Sequence, residues 1–216
     1  MANYVAGAQG PVTADDFELA VLTLTQAVSG ASEEQWRRPT RGQVTYAGAR
    51  LNDLLDLLFP LVVHLAARGR VRDATPPQTD LAPIDLKLAP RVGDRGVDGT
   101  LEAFDALTTM LTLLLRNSSP DTRGYHSFGN ADVEGFAAAG CLHVLTYGYE
   151  ITRAMQVPFV PDPGLVERVL FRLFRDVPEI AEPWPTLLWL TSRDKLPGMP
   201  WQQYEWPYYT APRTQW

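Results

Sequence analysis

A nearly unbroken apolar stretch between residues 47 and 68 constrains the fold more than any other part of the chain. Leucine, valine and phenylalanine dominate it from Leu51 to Val63, where only Asp53 and Asp56 carry charge. A helix that is apolar on most sides has to lie at the centre of a bundle, because no face of it prefers water. Pro60 removes one backbone hydrogen bond, so it should kink this helix or divide it into two pieces.

Four further segments have the periodicity and the end signals of helices. They cover residues 14–28, 101–116, 131–155 and about 163–175. Thr13, Asn130 and Asp162 are the expected N-caps of the first, third and fourth of these segments. The connection over residues 71–98 is rich in proline and glycine and looks irregular, with a weak strand pattern at residues 84–88.

Residues 182–216 differ in kind from the rest of the chain. They hold five of the six tryptophans, interleaved with proline and tyrosine, which excludes a long helix. We expect a strap that packs across the bundle, and its aromatic side chains can also close one end of a pocket. The predicted fold is therefore all-α and a single domain: residues 1–181 form a four-helix bundle with an extra helix, and the Trp/Pro-rich C-terminal strap follows.

Composition excludes several classes of function. The 216 residues are 45% hydrophobic with a net charge of −6, which disfavours disorder and a nucleic-acid partner. No apolar run reaches membrane-span length, and the first residues lack the basic and apolar regions of a signal peptide. We expect a cytoplasmic monomer or homodimer without a membrane partner. The one cysteine, Cys141, cannot form an internal disulfide and is expected to be a small buried residue.

Polar residues on two predicted helices form the candidate site. His143, Tyr147 and Glu150 are spaced i, i+4 and i+7, which puts them on one face of their helix. Asp53 and Asp56 interrupt the apolar helix at i and i+3. Burial of an unpaired carboxylate is costly, so a buried Asp53 needs a partner, and His143 or Tyr147 could supply it.

Each of these residues also has an ordinary structural explanation. A single histidine on a helix is more often a core residue than a ligand, and Tyr147 can cap a polar cavity. Glu150 can pair with Arg153 at i+3 on the surface. His126, before the last long helix, is expected at the surface or at the mouth of a cavity. The combination on one stripe, opposite an acidic helix, shifts the balance toward a site.

The residues around this stripe resemble a known family. Three segments carry the resemblance: Phe128-Gly-Asn-Ala-Asp-Val-Glu-Gly-Phe136, the helix from His143 to Met155, and the tail Pro183-Trp-Pro-Thr-Leu-Leu-Trp-Leu-Thr-Ser-Arg193 with Leu196-Pro-Gly198 and Trp206. They look like the DinB-like superfamily and, within it, the actinobacterial mycothiol-dependent maleylpyruvate isomerase family. The resemblance covers most of the chain, although residues 36–58 fit more loosely.

The resemblance implies a four-helix bundle with a divalent metal, zinc or nickel, that activates the thiol cofactor mycothiol. Family ligands are a histidine on the second helix and a Glu-x-x-x-His pair, followed by Asp, on a later helix. His143, Tyr147 and Glu150 stand at the positions of that later motif. Asp53, or Leu57 with an alignment gap, stands at the position of the first histidine. Because tyrosine is a poor zinc ligand, we expect the metal to be lost; if it is retained, its ligands are Asp53, His143 and Tyr147.

Without a metal, the same residues are suited to general acid–base catalysis. His143 would titrate near neutrality unless perturbed, and Asp53 could orient its ring. Tyr147 could donate a hydrogen bond to a developing oxyanion, and Glu150 completes the predicted catalytic set. Tyr149, Asp56, His126 and Trp206 are the predicted substrate contacts.

The leading prediction is a divergent DinB-like enzyme that acts on a small carbonyl metabolite, in specialised metabolism. The reaction would be an isomerisation, elimination, conjugate addition or cyclisation. One alternative is a metal- and mycothiol-dependent transferase or isomerase. Another is a bundle that binds a small molecule without catalysis.

Overall fold

Helices dominate the computed structural model, which describes residues 10–40, 45–67, 96–175, 182–203, 205 and 207–215. The helices run over Ala14–Val28 (α1), Glu33–Trp36 (α2), Ala47–Ala66 (α3), Gly96–Asn117 (α4), Val133–Met155 (α5), Pro163–Leu173 (α6) and Pro183–Leu190 (α7). A short antiparallel ladder pairs Arg123–Gly124 (β1) with Ala131–Asp132 (β2). The predicted all-α class is confirmed for these residues. None of their helices is both long and apolar enough to cross a bilayer.

The four long helices α1, α3, α4 and α5 share one core. α3 packs against α4 and α5, and α1 packs against the same two helices. Each helix contributes side chains that are buried completely or nearly so, among them Phe17, Leu54, Leu111 and Phe136. α6 packs on the outer side of this group, against α5 and α7.

The apolar helix α3 forms as one continuous element through Pro60. Its leucines at 51, 54, 55, 58, 61 and 65 are buried. Asp53 and Asp56 remain partly exposed. The helix predicted over residues 47–68 is therefore confirmed over Ala47–Ala66, and of the two outcomes expected at Pro60, the division into two pieces does not occur.

The helix caps confirm two predictions and correct one. Thr13 Oγ1 accepts a hydrogen bond from the Asp16 amide, and an Asp162 oxygen accepts one from the Leu165 amide. The prediction of Asn130 as a cap is wrong, because Asp132 Oδ1 accepts from the Gly135 amide at 2.7 Å. The ladder with β1 holds residues 131–132 extended, so α5 cannot begin before Val133.

The tail consists of the short helix α7 and an irregular strap. Trp189 on α7 is buried and its Nε1 donates to the Pro200 carbonyl at 2.8 Å. Further along, the Tyr209 amide donates to the Leu173 carbonyl and the Thr210 amide to the Phe128 carbonyl. The strap therefore returns to the end of α6 and to the loop that precedes α5. Residues 71–95, with the predicted strand pattern at 84–88, lie outside the described residues.

A buried guanidinium joins this strap to the bundle. The Arg172 side chain on α6 is 1% exposed and its Nη2 lies 2.6 Å from Asp132 Oδ1. The same side chain donates to the carbonyls of Tyr209 and Thr210 at 3.2 and 2.9 Å. One residue thus links α6, the cap of α5 and the strap.

Candidate functional site

A cavity of about 810 Å³ lies between α5, the start of α3 and the turn that follows α7. Its helical wall consists of Arg50 on α3 with Tyr147, Tyr149, Glu150 and Arg153 on α5. The turn of residues 191–195 forms the opposite wall, to which Trp201 and Glu205 are added. Two of the predicted catalytic residues, Tyr147 and Glu150, therefore share a cavity.

Glu150 bridges two arginines inside this wall. Its Oε2 lies 2.7 Å from Arg50 Nε, and its Oε1 lies 3.1 Å from Arg193 Nε. All three side chains are only 13–15% exposed. The alternative in which Glu150 pairs with Arg153 on the surface is wrong, because Arg153 instead pairs with Asp194 at 3.1 Å.

Tyr147 lies between the same two arginines. The guanidinium carbons of Arg50 and Arg193 are 5.4 and 5.8 Å from the centre of its ring, within the range of cation–π attraction. Burial raises the pKa of Tyr147, although the two arginines oppose that shift. The phenol is therefore protonated at neutral pH and can donate a hydrogen bond to a bound molecule.

Asp53 has a different partner from the one that the sequence predicted. Its Oδ2 accepts a hydrogen bond from Arg50 Nη1 at 2.9 Å, and its side chain is 47% exposed. The predicted pairing with His143 or Tyr147 is corrected: Asp53 points to the edge of the bundle and pairs at i−3 on its own helix. It helps to hold Arg50 in place.

His143 lies one turn before Tyr147 and is partly buried. Its ring lies edge-on to the Tyr208 ring of the strap, with 6.5 Å between the centroids. Burial, followed by the nearby His126 and Arg193, lowers the pKa of His143 to about 3. The expected titration near neutrality is therefore corrected, and the imidazole is uncharged at pH 7.

His126 belongs to the same interior region. Only 9% of it is exposed, so the expected position at the surface is wrong. Its Nδ1 accepts a hydrogen bond from the Phe128 amide at 3.1 Å, and its ring lies 5.9 Å from that of Tyr208. Burial lowers the pKa of His126 to about 4. Tyr208, which sequence reasoning missed, thus contacts both histidines.

We expect the free energy of unfolding to fall as the pH drops below 6.5, because the folded chain keeps His143 uncharged. Its pKa is about 3 in the folded chain against 6.5 in a model compound, so between these values only the unfolded chain binds the proton. The contribution is complete above pH 6.5 and is lost at about 1.4 kcal/mol per pH unit as the pH falls toward 3. Urea unfolding at pH 7 and pH 5 measures this loss of stability. His143→Leu should lose about 2 kcal/mol less than the wild type between these pH values, and an equal loss would contradict the assignment.

The predicted substrate contacts are only partly brought together. Tyr149 lines the cavity and its hydroxyl donates to Asp194 Oδ2 at 2.5 Å; burial, followed by this bond, raises the pKa of Tyr149 to about 12. Asp56 is partly buried on α3 and is not among the described lining residues. Trp206 lies outside the described residues.

Sequence reasoning also missed the two arginines that organise the site. Arg50 carries a signal in retrospect, because it precedes Asp53 by three positions and such pairs form ion pairs on a helix. Arg193 closes the tail segment that resembles the DinB-like family, but nothing in its neighbours predicts that it reaches Glu150. Their convergence depends on how three separate elements pack.

The predicted metal ligands do not form a ligand set. Asp53 is engaged with Arg50, whereas His143 packs against Tyr208. Within the described ranges, no three side chains of His, Cys, Asp or Glu are arranged to hold a metal ion. The residues present therefore do not fit the zinc or nickel site that the resemblance implies.

Comparison with known proteins identifies no relative: no family model, no curated protein and no solved structure matches the chain. Fold and site together define a helical protein with a polar cavity in which arginines flank a protonated tyrosine.

Proposed function

We propose that the chain is a divergent DinB-like enzyme that binds a small carbonyl compound in the 810 Å³ cavity and acts on it through a stabilised oxyanion. The observation that carries the proposal is the protonated Tyr147 on the cavity wall, with the guanidinium groups of Arg50 and Arg193 beside its ring. In this proposal Tyr147 donates the hydrogen bond to the carbonyl oxygen of the substrate.

Electrostatics supports this role for Tyr147. Isomerisation, elimination and conjugate addition next to a carbonyl all place negative charge on its oxygen in the transition state. A phenol donor stabilises such an oxygen best when the donor and the charged groups around it are already in place. Glu150 keeps the two arginines in place, because each of its carboxylate oxygens binds one of them.

His143 has a supporting role in this proposal rather than the role of the base. With a pKa of about 3, it is too weak a base to remove a proton efficiently at neutral pH. Its imidazole lies against Tyr208 of the strap, and His143 is not among the described lining residues. The low pKa of His143 also favours a second candidate function, which is a bundle that binds a small molecule without turning it over.

The packing of the long helices is compatible with the proposed DinB-like fold. α1, α3, α4 and α5 surround one core, as a DinB-like four-helix bundle would. The stripe of His143, Tyr147 and Glu150 lies on α5, at the positions where the family carries its later ligand motif. The alternative of a transferase or isomerase that uses mycothiol with zinc or nickel has less support, because Asp53 and His143 are directed elsewhere.

Substitution of Tyr147 by phenylalanine tests the proposal. The wild-type protein is first incubated with a panel of small carbonyl compounds, and turnover is followed by mass spectrometry and absorbance. For a compound that turns over, Tyr147→Phe should lower kcat/KM about a hundredfold, mainly through kcat, as the loss of one oxyanion donor does elsewhere. Tyr46→Phe is the matched control, because Tyr46 is half exposed and is not among the described lining residues.

Two results decide between the candidate functions. Equal rates for the wild type and Tyr147→Phe would reject the oxyanion role. A compound that binds and is recovered chemically unchanged would favour the non-catalytic bundle.

A further inference from the structure

We propose that the turn after α7 forms an anion subsite of this cavity, in which Ser192 Oγ and Lys195 Nζ bind a carboxylate or phosphate group of the ligand. The inference rests on the proposed function only because the subsite and Tyr147 are assigned to the same cavity. It concerns a different wall from the one that carries Tyr147, and it is tested by binding rather than by turnover.

Ser192 occupies a position that normally suits glycine. It follows the C-cap of α7 with a φ of 58°, and the Ser192 and Arg193 amides donate to the carbonyls of Trp189 and Leu188. This is the left-handed helix ending in which glycine is strongly preferred, because a Cβ atom strains the backbone. A serine here therefore has a cost to the fold, and its hydroxyl is the only gain over glycine.

The hydroxyl group of Ser192 makes no hydrogen bond within the described part of the chain. Ser192 lines the cavity, and its Oγ is buried without a hydrogen-bond partner. A buried hydroxyl without a partner is costly, and a ligand group that bonds to it removes that cost. In the proposed complex, the Ser192 side chain rotates so that this hydroxyl group reaches the ligand at the turn.

Charge around the turn identifies the ligand group as an anion. Each acidic residue of the described lining is already ion-paired with an arginine of that lining: Glu150 with Arg50 and Arg193, Asp194 with Arg153, and Glu205 with Arg193. No ion pair engages the Lys195 ammonium group in the described part of the chain. The lining thus has four basic residues for three acidic ones, and Lys195 follows Ser192 by three positions.

The body of the ligand follows from the remaining wall. Tyr149 and Trp201 present aromatic surface to the same cavity. A cavity of this volume suits a small metabolite. The ligand class is therefore a compound with an unsaturated or aromatic body and one anionic group, which is held at the turn.

Three probes measure the subsite by isothermal titration calorimetry: benzoate, phenyl phosphate and the uncharged benzyl alcohol. The wild type should bind at least one anionic probe about tenfold or more tightly than benzyl alcohol. Lys195→Gln should abolish most of that preference, and Ser192→Gly should reduce it severalfold, while benzyl alcohol is unaffected. Comparison of benzoate with phenyl phosphate tells which anion the subsite takes.

Stability measurements separate binding from folding in these variants. Ser192→Gly should raise the midpoint of thermal unfolding, because glycine relieves the backbone, so weaker binding by this variant cannot come from a damaged fold. Arg116→Gln, which removes a basic residue on α4 outside the described lining, is the control and should keep the preference.

Two outcomes would overturn the subsite. One is an absence of preference for the anionic probes in the wild type, which includes the case in which no probe binds. The other is an unchanged preference in both Lys195→Gln and Ser192→Gly. If either occurs while Tyr147→Phe still lowers turnover, only the subsite is wrong; if the preference is found but Tyr147→Phe is fully active, only the oxyanion role is wrong.

Discussion

A chain in which methionine replaces Arg172 is expected to lose about 3–5 kcal/mol of its free energy of unfolding. The substitution removes a guanidinium that is 1% exposed and lies 2.6 Å from Asp132 Oδ1. It leaves a largely buried carboxylate without its cation and two strap carbonyls, those of Tyr209 and Thr210, without a donor. The loss of one partner from a buried ion pair is costly because the remaining charge stays out of water.

Urea unfolding followed by circular dichroism measures this loss. Arg116→Met is the matched control, because Arg116 also contacts two carboxylates, those of Asp15 and Glu18, but on the exposed surface of α1 and α4. Its effect should be far smaller than that of Arg172→Met, since water replaces exposed ion pairs readily. Similar losses in the two variants would show that Arg172 does not anchor the strap.

The sequence predicted helices well where local signals determine their ends. α1 has the predicted bounds, because Thr13 and Asp16 form a capping box in front of a regular apolar pattern. α3 was predicted from an apolar run that no exposed helix could tolerate, and it forms through Pro60. In both helices, the information lies within a few residues of the feature that it determines.

The start of α5 was misplaced because a contact distant in sequence decides it. Asn130 and Asp132 are both good caps, and only the ladder between β1 and β2 selects Asp132. That ladder lies close against the bundle: a Cβ atom on Gly124 would lie 2.8 Å from both the His64 carbonyl oxygen and the Phe136 ring. A pattern read along one segment cannot contain this information.

In the candidate site, too, the features that one helix determines were predictable, and those that depend on packing were not. The spacing of Tyr147 and Glu150 on one helix face was readable from the sequence, and both residues line the cavity. The partners were not readable, because Arg50 and Arg193 reach Glu150 from other elements. The low pKa of His143 was not readable either, because it is caused by the surroundings of the side chain in the packed chain.

Replacement of Glu150 by glutamine is the second change with a large expected effect, a loss of about 2–3 kcal/mol in the free energy of unfolding. The carboxylate holds Arg50 at 2.7 Å and Arg193 at 3.1 Å, and all three side chains are 13–15% exposed. A neutral amide leaves two guanidinium groups close together without the charge that they share. We expect less than the full cost of a buried pair, because each arginine keeps a second acidic partner, Asp53 or Glu205, and the cavity admits water.

A double-mutant cycle determines how much of this loss belongs to the ion pair. Arg193→Gln alone and Glu150→Gln alone should each destabilise the chain, but the double variant should lose less than the sum, with a coupling of about 1–2 kcal/mol. Glu34→Gln, at an acidic side chain that is 85% exposed, is the control and should leave urea unfolding nearly unchanged.

Because Glu150 fixes both arginines beside Tyr147, Glu150→Gln should also lower kcat more than it raises KM on any compound that the wild type turns over. Strictly additive losses in the cycle, together with an unchanged kcat, would mean that Glu150 neither links the arginines energetically nor orders the site.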